Sequence, residues 1–298
     1  MAAPVEVRSQ DGSFMKMLVY DNNYFMSFFV GNIKDHLADI EQMEVRDDDT
    51  FVLTYPKSGT HWAYTLSSML RTGETTYHGS PTFLDFTNME TINNLPSPRV
   101  LASHLTFNFM PRQIKEGKGK VVSMLRNPKD VASSMYTFAK KLDHPDYQAR
   151  YQLSWEGLLE LYLGGRVPSG TWFEYIQAWD RVKRDHKGNN IIHLIYEDMK
   201  QDLGSNVRDL AVFLGASCEQ DFLDKVTENC TFKSMSTDSA NLTPSEQWMN
   251  VTNNKILPIY RKGEVGDWKN YFTVAQNEHF DKVYKEKMKT SSFNFRFQ

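Results

Sequence analysis

The chain contains little cysteine: Cys218 and Cys230 are the only two among 298 residues. Two widely spaced thiols are too few for a zinc knuckle or a disulfide framework, so a metal-stapled or disulfide-stapled fold is excluded. A chain of this length also buries about three quarters of its unfolded surface and needs neither device. We therefore expect two reduced thiols and a cytoplasmic protein.

Long hydrophobic runs and an excess of one charge are also missing. The longest apolar-looking stretch, residues 15–30, is interrupted by Lys16 and by Asp21 and its neighbours, so it cannot span a bilayer. Residues 1–14 lack the basic start and apolar run of a signal peptide. The 34 basic and 37 acidic side chains give a net charge of -3, which argues against a nucleic-acid-binding or membrane-adsorbed protein. Any bound anion must therefore meet a local cluster of positive charge.

Repeats, low-complexity segments and flexible linkers are absent, which predicts a single domain over residues 1–298. What is present is an alternation of short apolar strands with amphipathic helices. The predicted strands cover 51–55, 99–105, 120–125 and 191–196, and the predicted helices cover 60–71, 128–142, 155–165, 172–186 and 203–214. This order predicts an α/β fold with a central parallel sheet flanked by helices. Ligands of such folds bind at the carboxyl ends of the strands.

The first candidate anion site is residues 54–62, which read as a strand end, a basic turn and a helix start. Helix N-terminal N–H groups, the charge of Lys57 and the hydroxyls of Ser58 and Thr60 all suit a phosphate-like group. The turn does not match the loop of nucleotide hydrolases, because Lys57 precedes Gly59 and no earlier glycine is present. An ordinary capped turn uses the same residue types, so this segment alone does not establish an anion site.

Two further segments add positive charge. The third predicted strand ends in Arg126, where a magnesium-dependent hydrolase has a carboxylate, and Ser134 follows two helical turns later. Residues 261–268 form a loop whose glycines allow the backbone to close on an anion. Its Arg261 and Lys262, considered alone, are equally typical of a solvated surface. The three segments together predict a ligand with more than one phosphate-like group, neutralised by protein cations without a metal.

Residues 55–62, 126–134 and 261–268 resemble, in order, the three donor-binding stretches of the cytosolic sulfotransferases, and the similarity covers nearly the whole chain. That family moves a sulfuryl group from 3′-phosphoadenosine-5′-phosphosulfate (PAPS) to a hydroxyl or amine and leaves 3′-phosphoadenosine-5′-phosphate (PAP). The resemblance implies a sulfotransferase fold similar to that of P-loop kinases, PAPS as donor and no metal. It also implies a small acceptor of xenobiotic or steroid type and no nucleic-acid or membrane partner.

The resemblance further implies a role for each residue of these stretches. The residues expected at the 5′-phosphosulfate are Lys57, Ser58, Gly59, Thr60 and His61. Those expected at the adenine base are Trp62, Tyr196 and Phe232. Those expected at the 3′-phosphate are Arg126, Ser134, Arg261, Lys262 and Gly263.

The chemistry of sulfuryl transfer indicates which residues are catalytic. Transfer depends on positioning and on stabilising charge at the leaving oxygen, so a lysine is expected there, and Lys57 fits. The acceptor must lose a proton, which a neutral imidazole can accept near neutral pH. His104 ends the second predicted strand in a setting, Ala-Ser-His-Leu, that resembles the family's catalytic-base motif, although a histidine there is often structural. We expect His104, Lys57 and Ser134 in catalysis.

Two positions depart from the family pattern. Many phenol-sulfating members carry a lysine where this chain has Ala102, and the loss of that cation favours alcohols, steroids or amines as acceptors. His61 occupies a position where relatives often have Thr or Asn. Its imidazole can donate a hydrogen bond to the donor, and its protonation would make donor binding depend on pH.

Aromatic residues make up 13% of the chain, enough to line an apolar acceptor pocket. Phe83, Phe86 and Phe138 match family positions in the wall of that pocket, although aromatic residues are as often plain core. The polar stretch 140–152 suits a lid. A group of aromatic residues with helical spacing is expected at the core or at the mouth of the pocket: Tyr24, Phe25, Phe28 and Phe29.

A short motif near the C-terminus concerns assembly. Lys269, Thr273, Val274 and Glu278 reproduce the family's dimer motif, Lys-x-x-x-Thr-Val-x-x-x-Glu. Such a patch can pair with itself across a two-fold axis, because its charges are self-complementary. A solvated helix start has the same composition. With the motif complete, we expect a homodimer.

Two other functions remain open. A nucleotide-binding scaffold of the same fold would keep the donor site and catalyse little, and the presence of Lys57, His104 and Ser134 argues against it. A kinase using ATP would depend on magnesium. The missing Walker-type loop and the basic end of the third strand argue against a kinase.

Overall fold

The computed structural model describes residues 4–27, 29–77, 79–142, 149–240 and 259–298. Its strands are β1 Val5–Arg8, β2 Phe14–Tyr20, β3 Asn23–Met26, β4 Thr50–Thr54, β5 Val100–Ser103, β6 Lys120–Leu125, β7 Tyr151–Gln152 and β8 Ile191–Ile195. Its helices are α1 Ile33–Gln42, α2 Thr60–Thr72, α3 Met89–Asn93, α4 Arg112–Lys115, α5 Pro128–Lys141, α6 Trp155–Leu163, α7 Trp172–Asp185, α8 Tyr196–Gln201, α9 Leu203–Leu214, α10 Gln220–Asn229, α11 Phe232–Ala240 and α12 Val274–Lys287. Short 3₁₀ turns lie at Phe107–Phe109 and Asp267–Asn270.

The central element is a parallel sheet of four strands in the order β5–β4–β6–β8. Val52 in β4 pairs with Ala102 in β5 and with Val122 in β6, and Val122 pairs with Ile192 in β8. Neighbouring parallel strands need crossover connections, and helices supply them here. The predicted α/β fold is confirmed.

Helices cover both faces of this sheet, because side chains along a strand alternate between its faces. Phe51 and Leu53 of β4 enter the larger core, whereas Val52 between them enters the smaller one. The larger core is closed by α1, α5, α6 and α7, with Trp172 and Trp179 buried in it. The smaller core is closed by α2, α9 and α10.

An antiparallel sheet of β1, β2 and β3, with β7 beside β2, packs on the larger core and was not predicted. Asp21 and Asn22, at φ values of 47° and 57°, form the two-residue turn between β2 and β3, as a type I′ hairpin requires. The helical spacing of Tyr24, Phe25 and Phe29 is therefore misleading, since the first two lie in β3 and the third follows it. The polar pair between two apolar runs was the sequence signal for this hairpin.

The predicted strands and helices agree with the observed ones to within two residues at each end. Local capping explains the sharp starts. Asn127 accepts the N–H of Asp130 at the start of α5, where Pro128 occupies the first helical position. Ser154 and Thr171 cap α6 and α7 in the same way.

Three properties of the described residues bear on the class of protein. No helix in them is both long and apolar enough to cross a bilayer. They contain no group of three or more His, Cys, Asp or Glu side chains arranged to hold a metal ion. Cys218 is exposed, Cys230 is buried, and both are free thiols.

Candidate functional site

A cavity of about 210 Å³ lies at the carboxyl edge of the parallel sheet, where the segments after β4, β5, β6 and β8 meet. The residues predicted from the sequence line it, with one exception: Lys57, Gly59, Thr60, His61, Trp62, Phe83, Phe86, His104, Arg126, Ser134, Phe138, Tyr196, Phe232, Arg261, Lys262 and Gly263. The exception is Ser58, whose side chain is fully buried. The parallel topology therefore brings together residues as far apart in the chain as Lys57 and Gly263.

The turn between β4 and α2 forms one wall. Lys57 lies at a φ of 70°, a left-handed conformation that is costly for a residue with a side chain and that occurs mostly where surrounding structure enforces it. Gly59 is the N-cap of α2 and has no side chain to satisfy the first helical N–H groups, which favours an anion there. The hydroxyl of Ser58 is buried and has no hydrogen-bond partner within the described ranges. An orphaned hydroxyl beside an uncapped helix start suits an oxyanion ligand.

Arg126, at the end of β6, joins the three anion-binding segments. Its Nη1 donates to the carbonyl of Lys57 at 3.3 Å and its Nη2 to the carbonyl of Glu264 at 3.1 Å. Its guanidinium lies 4.1 Å from the ring centroid of Tyr196, and its buried Nε has no partner in the part of the chain that is described. The arginine therefore fixes the turn and the basic loop around the cavity and keeps one donor unused.

The loop of residues 261–268 contributes two more cations. Asp267, which is buried, forms ion pairs with Arg261 and with Lys262, the latter at 2.5 Å. These bonds lower the pKa of Asp267 and hold it ionised, against the effect of burial. Arg261 is mostly buried and Lys262 more exposed. The two cations are thus held in fixed positions at the cavity.

Lys57 lies inside a positively charged surrounding. Its Nζ sits 3.8 Å from the ring centroid of Phe138, a contact that desolvates the ammonium group. Burial, followed by the charges of Arg126, Arg261 and Lys141, lowers its pKa to about 7. An anionic ligand would relieve this crowding of positive charge around Lys57.

His104 follows β5 and presents a defined tautomer. Its Nδ1 lies 3.0 Å from the carbonyl oxygen of Thr54, which can only accept, so Nδ1 carries the proton and Nε2 keeps its lone pair. Burial lowers the pKa of His104 to about 4, with a smaller contribution from Lys57, while the bond to Thr54 opposes the shift. The ring is therefore neutral at physiological pH and is chemically fit to accept a proton.

The protonation state of His61 differs from the one expected from the sequence. Burial, together with the neighbouring Lys57 and His104, lowers its pKa to about 3. The imidazole of the free protein is therefore neutral across the physiological range, which argues against pH-dependent donor binding through His61. Its buried Nδ1 has no partner among the residues described, and the ring lies 6.4 Å from those of Phe83 and Tyr260. It remains available as a neutral hydrogen-bonding group.

Aromatic rings form a platform in the wall of the cavity. Trp62 donates its indole N–H to the carbonyl of Cys230 at 2.9 Å and packs edge-on against Tyr196, with 5.3 Å between ring centroids. Phe232 packs against Tyr260 at 6.1 Å. Flat, anchored rings of this kind suit the stacking of a heteroaromatic base.

Gly263 is needed where this platform meets the basic loop. A Cβ at this position would lie 2.1 Å from the ring of Phe232, and the residue has a φ of 66°. We expect Gly263→Ala to weaken PAP binding at least about tenfold, since the ring of Phe232 must move away until it reaches an ordinary contact distance from the new methyl group. Gly215→Ala is the matched control, because Gly215 has nearly the same φ, 68°, and open space around it. Isothermal calorimetry of both variants gives the comparison; equal affinities would contradict this expectation.

Two residues of the site were not predicted from the sequence: Tyr260, which lines the cavity, and Asp85, which bonds to His104. Asp85 accepts the backbone N–H of His104 at 2.8 Å and the hydroxyl of Ser103 at 2.5 Å, so it fixes the end of β5. Burial raises its pKa to about 6, although these two bonds oppose the shift. Nothing in the sequence links Asp85 to His104, because the two segments meet only in the folded chain, where Phe83 forms a bridge with Ala102.

The part of the cavity around His104 is lined by aromatic rings. Phe83 lies 5.1 Å from the ring of His104 and 5.3 Å from that of Phe86. A smaller space of about 30 Å³ adjoins it, shares His104 and Phe86, and reaches Phe25 and Phe29, which are core residues. Two of the segments expected at the mouth and in the lid of the pocket, Phe28 and residues 143–148, lie outside the described residues.

Ala102, which replaces the lysine of many phenol-sulfating relatives, is fully buried in the smaller core.

The motif expected to mediate dimerisation lies at the start of α12. Thr273 caps this helix through a capping box with Gln276. Val274 follows with 77% of its surface exposed, and Lys269 donates to the side chain of Gln298 at 2.7 Å. The start of α12 therefore presents an exposed valine.

A basic cavity at the carboxyl edge of a parallel α/β sheet is typical of enzymes that act on phosphorylated ligands. Comparison with known proteins identifies the family: residues 47–292 match the sequence model described as the sulfotransferase domain. Sulfotransferase 1A1 of Mus musculus is 35% identical over 84% of this chain and 88% of its own, and the amine sulfotransferase of Oryctolagus cuniculus is 33% identical over 91% and 93%. The chain belongs to the sulfotransferase family and is a transferase of that class.

Solved structures agree in fold. The crystal structure of mouse sulfotransferase SULT7A1 complexed with PAP superposes with a TM-score of 0.76 at 29% identity, covering 93% of this chain and 96% of that one. A retinol dehydratase in complex with androsterone and PAP gives 0.75 at 20% identity, over 99% of this chain and 92% of that one, and supports the fold alone. The predicted sulfotransferase fold is confirmed.

Proposed function

We propose that this protein transfers the sulfuryl group of PAPS to a hydroxyl or amine of a small, largely apolar acceptor. The observation that carries the proposal is the position of Arg126, whose hydrogen bonds join two other basic segments around a cavity that also contains a neutral His104. Cations for two phosphate-like groups and a base for the acceptor thus line one space.

The residues present fit PAPS as donor. The orphaned hydroxyl of Ser58, the uncapped start of α2 and Lys57 suit the 5′-phosphosulfate. Arg126, Ser134, Arg261, Lys262 and Gly263 are assigned to the 3′-phosphate, and Trp62, Tyr196 and Phe232 to the base. PAPS supplies the sulfuryl group and leaves as PAP.

The catalytic roles follow from protonation states. His104 accepts the acceptor's proton at Nε2, while its Nδ1–H remains bonded to the carbonyl of Thr54 and holds the ring in place. Lys57, when protonated, stabilises the negative charge that develops on the leaving phosphate oxygen. Ser134 contributes a hydroxyl at the same cavity. Phe83, Phe86 and Phe138 exclude water from the reacting groups.

Ala102 favours alcohols, hydroxysteroids and amines over phenols, because no cation stands at this position to stabilise a phenolate. The proposal is tested with PAPS and an equimolar mixture of a phenol, an aliphatic alcohol, a hydroxysteroid and an amine, with products quantified by mass spectrometry. We expect sulfated alcohol, steroid or amine to exceed sulfated phenol. Predominant phenol sulfation would overturn the acceptor assignment, and no product with any acceptor would favour a binding scaffold.

We propose a homodimer that pairs through Lys269, Thr273, Val274 and Glu278. Val274→Lys should convert the dimer to a monomer, since two buried ammonium groups would face each other at the axis. Val212→Lys is the matched control, because Val212 is also exposed, at 67%, and lies on α9. Light scattering after size exclusion at micromolar concentration measures the mass; a monomeric wild type, or a dimeric Val274→Lys, would contradict the assignment.

The cellular location proposed is the cytoplasm. Two free thiols, one of them exposed, suit a reducing compartment.

A further inference from the structure

Asp130 lies in the first turn of α5, is fully buried, and is absent from the lining of the cavity. Its carboxylate nevertheless reaches the basic loop. Oδ2 accepts the backbone N–H of Gly266 at 2.8 Å, and Oδ1 accepts that of Trp268 at 3.0 Å. A carboxylate that accepts two backbone N–H groups forms strong, charge-assisted bonds. Asp130 thus holds the loop by its main chain.

The residue held between those two amides is Asp267. Its carboxylate forms the ion pairs with Arg261 and Lys262 and accepts the amide of Asn270 at 2.8 Å. The two cations assigned to the 3′-phosphate therefore depend on the position of Asp267. That position depends in turn on Asp130.

Asp130 is itself held rigidly. Asn127 donates its side-chain amide to Oδ2 of Asp130 at 2.8 Å and caps its N–H. The same amide and the backbone N–H of Asn127 both bond to Oε1 of the buried Glu197, at 2.8 and 2.9 Å. The hydrogen bonds from Asn127 on one side and from the loop on the other hold the Asp130 carboxylate in one orientation. If the loop moved away from α5, the buried carboxylate of Asp130 would lose two hydrogen-bond donors, which costs free energy.

We infer that Asp130 is a positioning residue for the donor's 3′-phosphate: by anchoring residues 266 and 268 it holds Arg261 and Lys262 at the cavity. The inference rests on the proposed function. It implies a selective effect, because Asp130 lies outside the cavity lining and the lining residue it pairs with, Arg126 at 4.0 Å, is also assigned to the 3′-phosphate. The affinity for a nucleotide without a 3′-phosphate should not depend on Asp130.

The test compares PAP with adenosine 5′-monophosphate, which differs only in lacking the 3′-phosphate. Asp130→Asn replaces an acceptor oxygen by an amide group that cannot accept a backbone N–H. We expect its PAP dissociation constant to rise about tenfold to a hundredfold, as for loss of a hydrogen bond to a charged group. The constant for adenosine 5′-monophosphate should change less than about threefold, within the usual effect of a substitution away from a ligand.

A second variant perturbs the same contact from the loop. Gly266 has a φ of 88°, and an added Cβ would meet the carbonyl of Phe297 at 3.4 Å, an ordinary contact distance. Gly266→Ala therefore strains the backbone at the anchored amide without a clash, and it should show the same selectivity for PAP. Asp202→Asn is the control, since Asp202 also accepts a backbone N–H, that of Ser205 at 3.0 Å, but outside the site.

The possible results separate the two proposals. A selective loss of PAP affinity in Asp130→Asn, or in Gly266→Ala should the first variant not fold, supports the inference. Equal losses for both nucleotides, or a lower melting temperature with unchanged PAP affinity, would show a merely structural aspartate and overturn it. A wild type that binds no PAP would overturn the proposed function, and the inference with it.

Discussion

His104→Ala should lower the rate of sulfuryl transfer about 10² to 10⁴-fold, the usual contribution of a general base. The reason is the tautomer: Nδ1 is committed to the carbonyl of Thr54, so Nε2 is the position that receives the acceptor's proton. PAP affinity should stay nearly unchanged, because the neutral imidazole does not contribute charge to the donor site. Steady-state kinetics and calorimetry on the same preparations measure both.

His193→Ala is the matched control for this variant. His193 is also an imidazole whose pKa burial lowers to about 4, but it packs against Trp179 and Phe293, away from the cavity. Its loss should reduce stability and leave the turnover of folded enzyme intact. A His104→Ala enzyme as active as His193→Ala would show that another group removes the proton.

Lys57→Met should lower kcat about 10² to 10³-fold, as does removal of one donor that stabilises developing negative charge. Methionine keeps a linear, largely apolar side chain of similar length and removes the ammonium group, together with its cation–π contact to Phe138. The loss should appear in kcat and not in the acceptor's KM, because the missing interaction strengthens as the bond to the leaving oxygen breaks. An unchanged kcat would exclude Lys57 from catalysis.

The protonation of Lys57 also predicts a pH dependence. The free enzyme holds the cation below its pKa of about 7 and loses it as pH rises through that value. His104 is neutral above its pKa of about 4. The ratio kcat/KM for the donor, which reports groups of the free enzyme, should therefore fall below about 4 and above about 7. Lys57→Arg should abolish the alkaline fall, since arginine stays charged; a variant with the same alkaline fall would assign it to another group.

Much of this structure could be predicted from sequence where the signal was local. The strand from 120 to 125 and the helix from 203 to 214 were predicted with their observed ends. Parallel pairing then followed from the alternation of strands and helices. The same reasoning placed Lys57, Arg126 and His104 at one edge of the sheet, because each follows a parallel strand.

The parts that could not be predicted depend on long-range contacts. Asp85 is recognisable as part of the site only when its bond to the N–H of His104 is seen. The pKa of His61 depends on burial that its sequence position does not reveal. The hairpin turn at Asp21 and Asn22 carried a local sequence signal. The aromatic residues that follow it are spaced as in a helix, however, and so favoured a helix where the structure has a strand.

The most direct test of the central claim is liquid chromatography with mass spectrometry of a reaction containing enzyme, PAPS and an aliphatic alcohol or amine acceptor. We predict PAP and sulfated acceptor in equal amounts, with no product when ATP and magnesium replace PAPS. Release of PAP without sulfated acceptor across all acceptor classes, or phosphorylated acceptor from ATP, would contradict the account.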